Sequence, residues 1–389
     1  MLSPMDDYPV HQIAEPIRHV GTSDRNFYDR YYFNCHPGLD YDGEPLFLII
    51  GLGQYPNLGV TDGFAVLRRG NDHIVARASK ALGSDRMDVS VGPLRIEVLE
   101  GLHRLRVVLE PTPEAPDLSF DLVFESDVPA ALEARHFHRQ LERVTFDTQR
   151  FVQTGRWSGT LTVDGETLPV TPDTWRGNRD RSWGVRPVGE AEPPGRRADP
   201  AIAGEQNFFW IYAIMQFDEF SIVAIMQEDR QGRRIVQDAT RVWTDRSREP
   251  EWLGRPEHDL TFVPGGREVA TGTLTFHRPE GYGKPDRILT VACEPVLPHY
   301  LGVGTGYGLE QDWRHGMWQG ELVVQGVREK VADIEAWKKM FCPVDNLARF
   351  TLVEDGESVV GSGLFEVAVI GPCDRYGFTH GRRRELIPN

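Results

Sequence analysis

The chain has 389 residues, 40% hydrophobic and 26% charged, ordinary proportions for a globular protein, and it is too long for one ordinary core, so two domains are expected. Asp and Glu (58) outnumber Lys and Arg (43), giving a formal charge of −15. That field repels nucleic acid and anionic membrane, so neither is an expected partner.

Residues 1–16 are acidic and lack an apolar centre, so they do not read as a signal peptide. No apolar run approaches the length of a membrane span. Cys35, Cys293, Cys342 and Cys373 are widely spaced, with no Cys-x-x-Cys or Cys-His ligand spacing. Neither a zinc site nor a disulfide framework is expected. A reduced, cytoplasmic protein is the default expectation.

Along the chain, Asn26 to His36 packs aromatics densely, as a strand wedged into a core or a pocket rim would. Apolar residues alternate with polar ones at Leu105, Val107 and Leu109, then at Leu118, Phe120, Leu122 and Phe124, then at Leu161 and Val163, and again at Leu274 and Phe276. Period-two patterning over short runs marks half-buried strands. Turn signals recur at Tyr41-Asp42-Gly43, Asp62-Gly63, Asp164-Gly165, Pro264-Gly265-Gly266 and Asp355-Gly356. Residues 208–217 and 220–229 are more continuously apolar, as central strands are, and flank a tight turn at Asp218-Glu219. Helix is expected only over Ala130–Leu141 and Asp333–Phe341, the latter capped by Asp333. No alternation of strand and helix appears, which disfavours a Rossmann fold. The expected architecture is all-β: two lipocalin-like antiparallel sandwiches or barrels, at 1–190 and 205–389, joined by the Pro- and Gly-rich linker Gly189–Gly204.

The stretch Trp175 to Arg186 holds four arginines, one carboxylate and two tryptophans. If it is extended, Arg179, Arg181 and Trp183 share one face and Asn178, Asp180 and Ser182 the other. Asp180 is then either an acid or base in a cleft or a structural carboxylate pinned by arginines. Acid function requires an apolar setting that raises its pKa, and arginines pointing away from it. Arg179 or Arg181 is a candidate to stabilise a developing oxyanion.

Residues 302–320 carry glycines at 302, 304, 306 and 308, but no helix pattern follows and no phosphate-loop Lys is present. Trp313, His315 and Trp318 lie close together there, making His315 a rival base. Trp183, Trp210, Tyr212, Tyr307 and Trp313 are the expected walls of an aromatic pocket. His136 and His138 are the only close histidine pair. On a helix they point apart, so no metal is expected. Nucleophile-elbow, zincin and Walker motifs are absent.

Residues 179–184, Arg-Asp-Arg-Ser-Trp-Gly, resemble the Asp-(His/Arg)-x-Trp-Gly signature of the carotenoid hydratase (hydroxyneurosporene synthase) superfamily. Residues 153–159 resemble the strand preceding that signature in bacterial relatives, and Gly361 to Glu366 their closing Gly-x-Gly-x-x-Glu strand. The resemblance implies two facing lipocalin-like domains that handle apolar, often polycyclic molecules without an organic cofactor, as in carotenoid hydratases, tocopherol-cyclase-like proteins and fungal Diels–Alderase-like cyclases. It implies that Asp180 protonates an alkene. This chain departs from the signature in having arginine on both sides of that residue.

The resulting expectation is a cofactor-independent lyase, hydratase or isomerase acting on a hydrophobic small molecule. The alternative is a non-catalytic lipocalin-like binding protein. A homodimer is compatible with either.

Overall fold

The computed structural model describes residues 1–188, 197, 207–277, 288–307, 310–341 and 343–379, with the side chains of residues 340 and 341 excepted. Among the described residues, strand accounts for 59% and helix for 4%, an all-β, lipocalin-like fold of two curled antiparallel sheets. The expected linker lies outside the described residues apart from Arg197, as does Cys342.

The first sheet runs from edge to edge through Leu322–Lys330, Asp72–Ala81, Val60–Arg69, Leu46–Tyr55, Phe27–Pro37, Trp175–Val185, Arg143–Val163, Leu118–Ser126, Arg104–Leu109 and Leu94–Glu100, ending on a short pairing at Ser90–Val91. Successive strands are joined mostly as hairpins, so pairing is antiparallel throughout. The second sheet runs through Glu251–Trp252, Arg234–Trp243, Phe220–Glu228, Phe208–Gln216, Glu357–Ile370, Val344–Glu354, Ile288–Tyr300, Val269–His277 and Arg255–Phe262. The strand Leu322–Lys330 comes from the second half of the chain yet pairs with Asp72–Ala81 at the edge of the first sheet.

Three apolar layers follow. Inside the first sheet, Leu46, Leu48, Ile50 and Leu52 pack with Phe33, Phe124 and Trp157. Inside the second, Phe209, Ile211, Ala213 and Met215 pack with Phe350 and Phe365. Between the sheets, Phe47 and Ile49 meet Trp210, Tyr212 and Ile214. This middle layer explains why Leu46–Tyr55 and Phe208–Gln216 are apolar without alternation. Each strand is buried on both faces, odd positions in one layer and even positions in the next.

Three expectations need correction. Residues 130–141 form no helix but two short strands, Ala131–Leu132 and His136–Gln140, paired with Arg143–Val163. The cause is an open ladder: Leu118–Ser126 pairs only with residues 155–163, leaving the earlier part of that 21-residue strand with free backbone groups. Satisfying them outweighs local helix propensity. Asp62-Gly63 is not a turn but lies within Val60–Arg69. There a Cβ on Gly63 would stand 2.8 Å from Leu94 Cδ2 and 2.9 Å from Val91 Cγ1, so the glycine permits close packing. The expected helix at 333–341 spans only Ala336–Phe341, and its first turn bonds to the Glu335 carbonyl rather than being capped by Asp333. The turns at Asp218-Glu219, Asp164-Gly165 and Asp355-Gly356 form where expected.

One glycine permits a close approach of the strands around the Trp175 stretch. Gly177 faces Gly155 across the ladder. A Cβ on it would lie 2.0 Å from the Asn34 carbonyl oxygen and 2.7 Å from Trp157 Nε1, while that indole N–H donates to the same carbonyl at 2.8 Å. Gly177→Ala is therefore expected to destabilise the fold by about 2 kcal/mol or more, read as a lower urea midpoint with an unchanged slope.

Candidate active site

A cavity of about 470 Å³ lies between the two sheets, within the middle layer. Five strands of the two sheets build most of it, because alternation gives each of them one face on the cavity. Phe27–Pro37 supplies Tyr28, Arg30 and Tyr32, and Arg143–Val163 supplies Phe146, Thr148 and Arg150. Trp175–Val185 lies between them and supplies Asp180 and Ser182. Its register sets Asp180 between Tyr32 and Val152, and Ser182 between Arg30 and Arg150. From the second sheet, Phe208–Gln216 brings Phe208, Trp210 and Tyr212, and Glu357–Ile370 brings Leu364 and Glu366. The loop after Tyr300 closes one end with Tyr307 and His315.

Two hydrogen bonds tie the sheets together at this layer. Tyr32 donates its hydroxyl to Asp345 Oδ2 at 2.6 Å, and Tyr212 donates to Glu133 Oε1 at 2.6 Å. Glu133 also accepts from Arg150 Nε at 2.8 Å, and the Arg150 guanidinium lies 4.0 Å from the centre of the Tyr212 ring. Arg30 donates to the Tyr307 hydroxyl at 3.0 Å. Aromatic faces and guanidinium groups thus interleave over the cavity wall.

Asp180 is a buried carboxyl on this cavity wall. It is 8% exposed, and burial pushes its carboxyl up to about 6, with Arg150, Arg30 and Arg186 opposing the shift and Glu133 adding to it. Glu366 is paired across the ladder with both Tyr212 and Asp345. Burial raises both carboxyls, with Glu366 and Asp180 adding to the shift of Asp345 and Asp180 adding to that of Glu366. Asp345 Oδ1 is buried without a hydrogen-bond partner, which suits a protonated oxygen better than a charged one. His315 is driven the other way. Burial first, then Arg30, lowers its pKa to about 4, although Asp62 Oδ1 stands 3.6 Å from its Nδ1. It is a neutral imidazole set edge-on to Tyr307, at 4.6 Å between ring centres.

The structure brings Asp180, His315, Trp210, Tyr212 and Tyr307 into one cavity. It places Arg179, Arg181 and Trp183 on the opposite face of their strand, lining a different depression. Trp313 is buried against the Arg77 guanidinium, 4.3 Å away, and does not line the cavity. Glu133 and Arg150 went unrecognised in the sequence, while Arg30 and Glu366 lay in stretches noted there, Asn26–His36 and Gly361–Glu366, with no site role assigned. The only signal for Arg150 was its place two and four residues after Thr148 and Phe146, which means nothing until the strand's partner is known. Among the described residues, no three His, Cys, Asp or Glu side chains come together as metal ligands. His136 and His138 are on a strand, not the expected helix, with His136 stacked on Phe146 at 4.8 Å.

A family model covers residues 2–379. The chain belongs to DUF8625, a family of unknown function. No curated protein matches the sequence. Several solved structures share the fold. Kievitone hydratase from Nectria haematococca aligns with a TM-score of 0.52 and 16% identity, over 90% of this chain and 93% of that one. A protein assigned as AttH from Nitrosomonas europaea aligns with a TM-score of 0.51 and 14% identity, over 94% and 99%. CghA, crystallised with Sch210972, aligns with a TM-score of 0.50 and 10% identity, over 89% of each chain. At these identities the likeness establishes the two-sheet fold and leaves the chemistry to the residues.

The raised Asp180 carboxyl has a measurable cost. The folded chain holds this proton more tightly than the unfolded chain does, so stability falls as pH rises from the usual carboxylate range through about 6. Above that window the buried anion costs on the order of 3 kcal/mol. Asp180→Asn is expected to unfold at higher urea than the parent at about pH 8, and to show no gain at about pH 4.

Proposed function

We propose that this protein is a cofactor-independent lyase, of hydratase type, or an isomerase, that acts on an unsaturated hydrophobic small molecule held between the two sheets, with Asp180 as the general acid. The observation carrying this reading is a buried carboxyl with a pKa of about 6, facing an aromatic-walled cavity while the two arginines beside it in sequence face elsewhere. A carboxyl poised near neutrality can hand over a proton and take it back. The fold shared with a kievitone hydratase is in keeping with this chemistry.

In the hydration direction, Asp180 delivers its proton to one carbon of a C=C bond. Positive charge develops on the other carbon, faced by the rings of Tyr212, Trp210 and Tyr28. Water adds there and its surplus proton returns to the Asp180 carboxylate, restoring the acid. Dehydration runs the same steps backwards. If the neighbouring C–H proton is lost in place of water addition, the double bond moves and the reaction is an isomerisation. Arg30 and Arg150 flank Ser182, one residue pair along from Asp180, where a ligand oxygen has cationic partners. Arg179 and Arg181, on the far face, have no part in this scheme.

The substrate is sought by thermal shift with unsaturated hydrophobic metabolites, since a ligand at 100 times its Kd stabilises by about 2.7 kcal/mol. Hits are then followed by mass spectrometry for the gain or loss of one water or for an isomeric product. Asp180→Asn is expected to keep ligand affinity while kcat falls by about two to four orders of magnitude. Ligand binding with no turnover in the parent chain would replace this reading with that of a binding protein.

Because the acid form is required, kcat/KM is expected to be level below about 6 and to fall about tenfold per pH unit above it. A profile that instead rises with pH would assign Asp180 as a base. Turnover is further expected to survive dialysis against EDTA. Loss on chelation, restored by one specific ion, would move the chemistry to a metal.

A further inference from the structure

The second face of Trp175–Val185 is built as carefully as the first, and the proposed reaction does not use it. Its side chains sit between defined neighbours across the ladders: Arg179 between Phe33 and Gln153, Arg181 between Tyr31 and Phe151, Trp183 between Asp29 and Gln149. This is the core side of the first sheet, and the Arg179 guanidinium lies over the Phe124 ring. Towards the Trp183 end the apolar filling stops. It leaves a depression of about 470 Å³ lined by Arg179, Arg181, Tyr31, Phe151, Leu102 and Trp183.

The charges in this depression do not balance. Arg181 is bonded to Asp29, and Asp29 also takes Arg86 at 3.2 Å. Among the described residues, Arg179 donates to a neutral partner, the side-chain oxygen of Gln153, while the Asp180 carboxylate acts on it from the other face of the strand. That amide is held in place by the Leu102 and Val128 carbonyls, at 2.8 and 3.1 Å. Arg179 is 2% exposed and its Nε is buried without a hydrogen-bond partner. The carboxylate lining the depression, Asp29, is thus already taken by Arg181 and by Arg86 from outside it, and Arg179 is not paired with it. Aromatic faces offset part of the cost: Phe151 lies 5.1 Å from Arg179 and Tyr31 4.1 Å from Arg181. A buried cation without a counter-ion is otherwise expensive, and its missing partner is an anion. The rim supplies the rest of a ligand site. Leu102 is 54% exposed at the tip of its turn, and Trp183 is 36% exposed. Large apolar side chains left open around a cationic centre suit a molecule with a charged head and an apolar body.

We propose that this depression is a second ligand site, separate from the cavity between the sheets, and that it takes a small molecule with one carboxylate on an apolar body. The carboxylate accepts hydrogen bonds from Arg179, with Arg181 beside it. The body lies against Tyr31, Phe151, Leu102 and Trp183. The strand backbone separates this site from Asp180, so the proposal stands or falls independently of the chemistry in the cavity.

The test is calorimetric titration of the full chain with decanoate, using decanol as the uncharged control. Saturable decanoate binding is expected. Arg179→Gln is expected to weaken it by about tenfold or more while sparing decanol. Leu102→Glu, at an exposed position that does not threaten folding, is expected to repel decanoate by like charge even if the buried Arg179 variant fails to fold. Trp183→Ala is expected to weaken both ligands. Trp210→Ala, in the other cavity, is expected to leave decanoate affinity unchanged. Absence of saturable decanoate binding overturns the proposal. So does binding that persists in Leu102→Glu and is lost in Trp210→Ala.

Discussion

Side chains alternate along a β-strand, and in this protein both faces of the central strands are buried. Every consequence described above depends on that constraint. Because Leu46–Tyr55 and Phe208–Gln216 pack on two sides, the sheets cannot sit apart. Their outer faces must be joined through a third layer. That layer contains the cavity, and the side chains entering it come from alternate positions of several strands. A slip of one residue in the register of Trp175–Val185 would turn Asp180 towards the core of the first sheet and bring two arginines into the cavity. Gly177, pressed against Asn34 and Trp157, leaves no room for a side chain at the start of that stretch.

The electrostatics follow from burial rather than from sequence neighbours. Asp180 lies between two arginines in the chain, yet it is governed by loss of solvent, with Arg150 and Arg30 from adjacent strands as the opposing charges. Asp345 and Glu366 crowd the same layer, where burial and the nearby Asp180 charge raise both. Clustered carboxyls in a dry layer work against folding, while the tyrosine hydrogen bonds across the sheets, Tyr32 to Asp345 and Tyr212 to Glu133, help hold the layer closed. Neutral His315 completes one wall without adding charge.

The same strand therefore serves two environments. On its cavity side sits an acid held near neutrality among arginines from other strands. On its core side sit arginines with too few acids. Backbone alternation is what allows opposite charge problems to coexist within three consecutive residues without cancelling each other.

Much of the architecture was legible in the sequence. Short period-two runs and the turns at Asp164-Gly165 and Asp355-Gly356 specify antiparallel hairpins, because side-chain alternation and backbone at positive φ are local properties. The two faces of the Arg-Asp-Arg segment were readable for the same reason. The segment 130–141 was misread because its strands exist only to fill a ladder left open by a strand elsewhere in the chain. Glu133, Arg150 and Glu366 were invisible as a group, since they approach one another only when the two sheets close. Sequence alone therefore determined the all-β class, the hairpin turns and the face on which Asp180 stands. Tertiary structure decided which residues share that face across strands, how dry it is, and hence the protonation of Asp180, because desolvation and charge proximity depend on distance in space and not on separation along the chain.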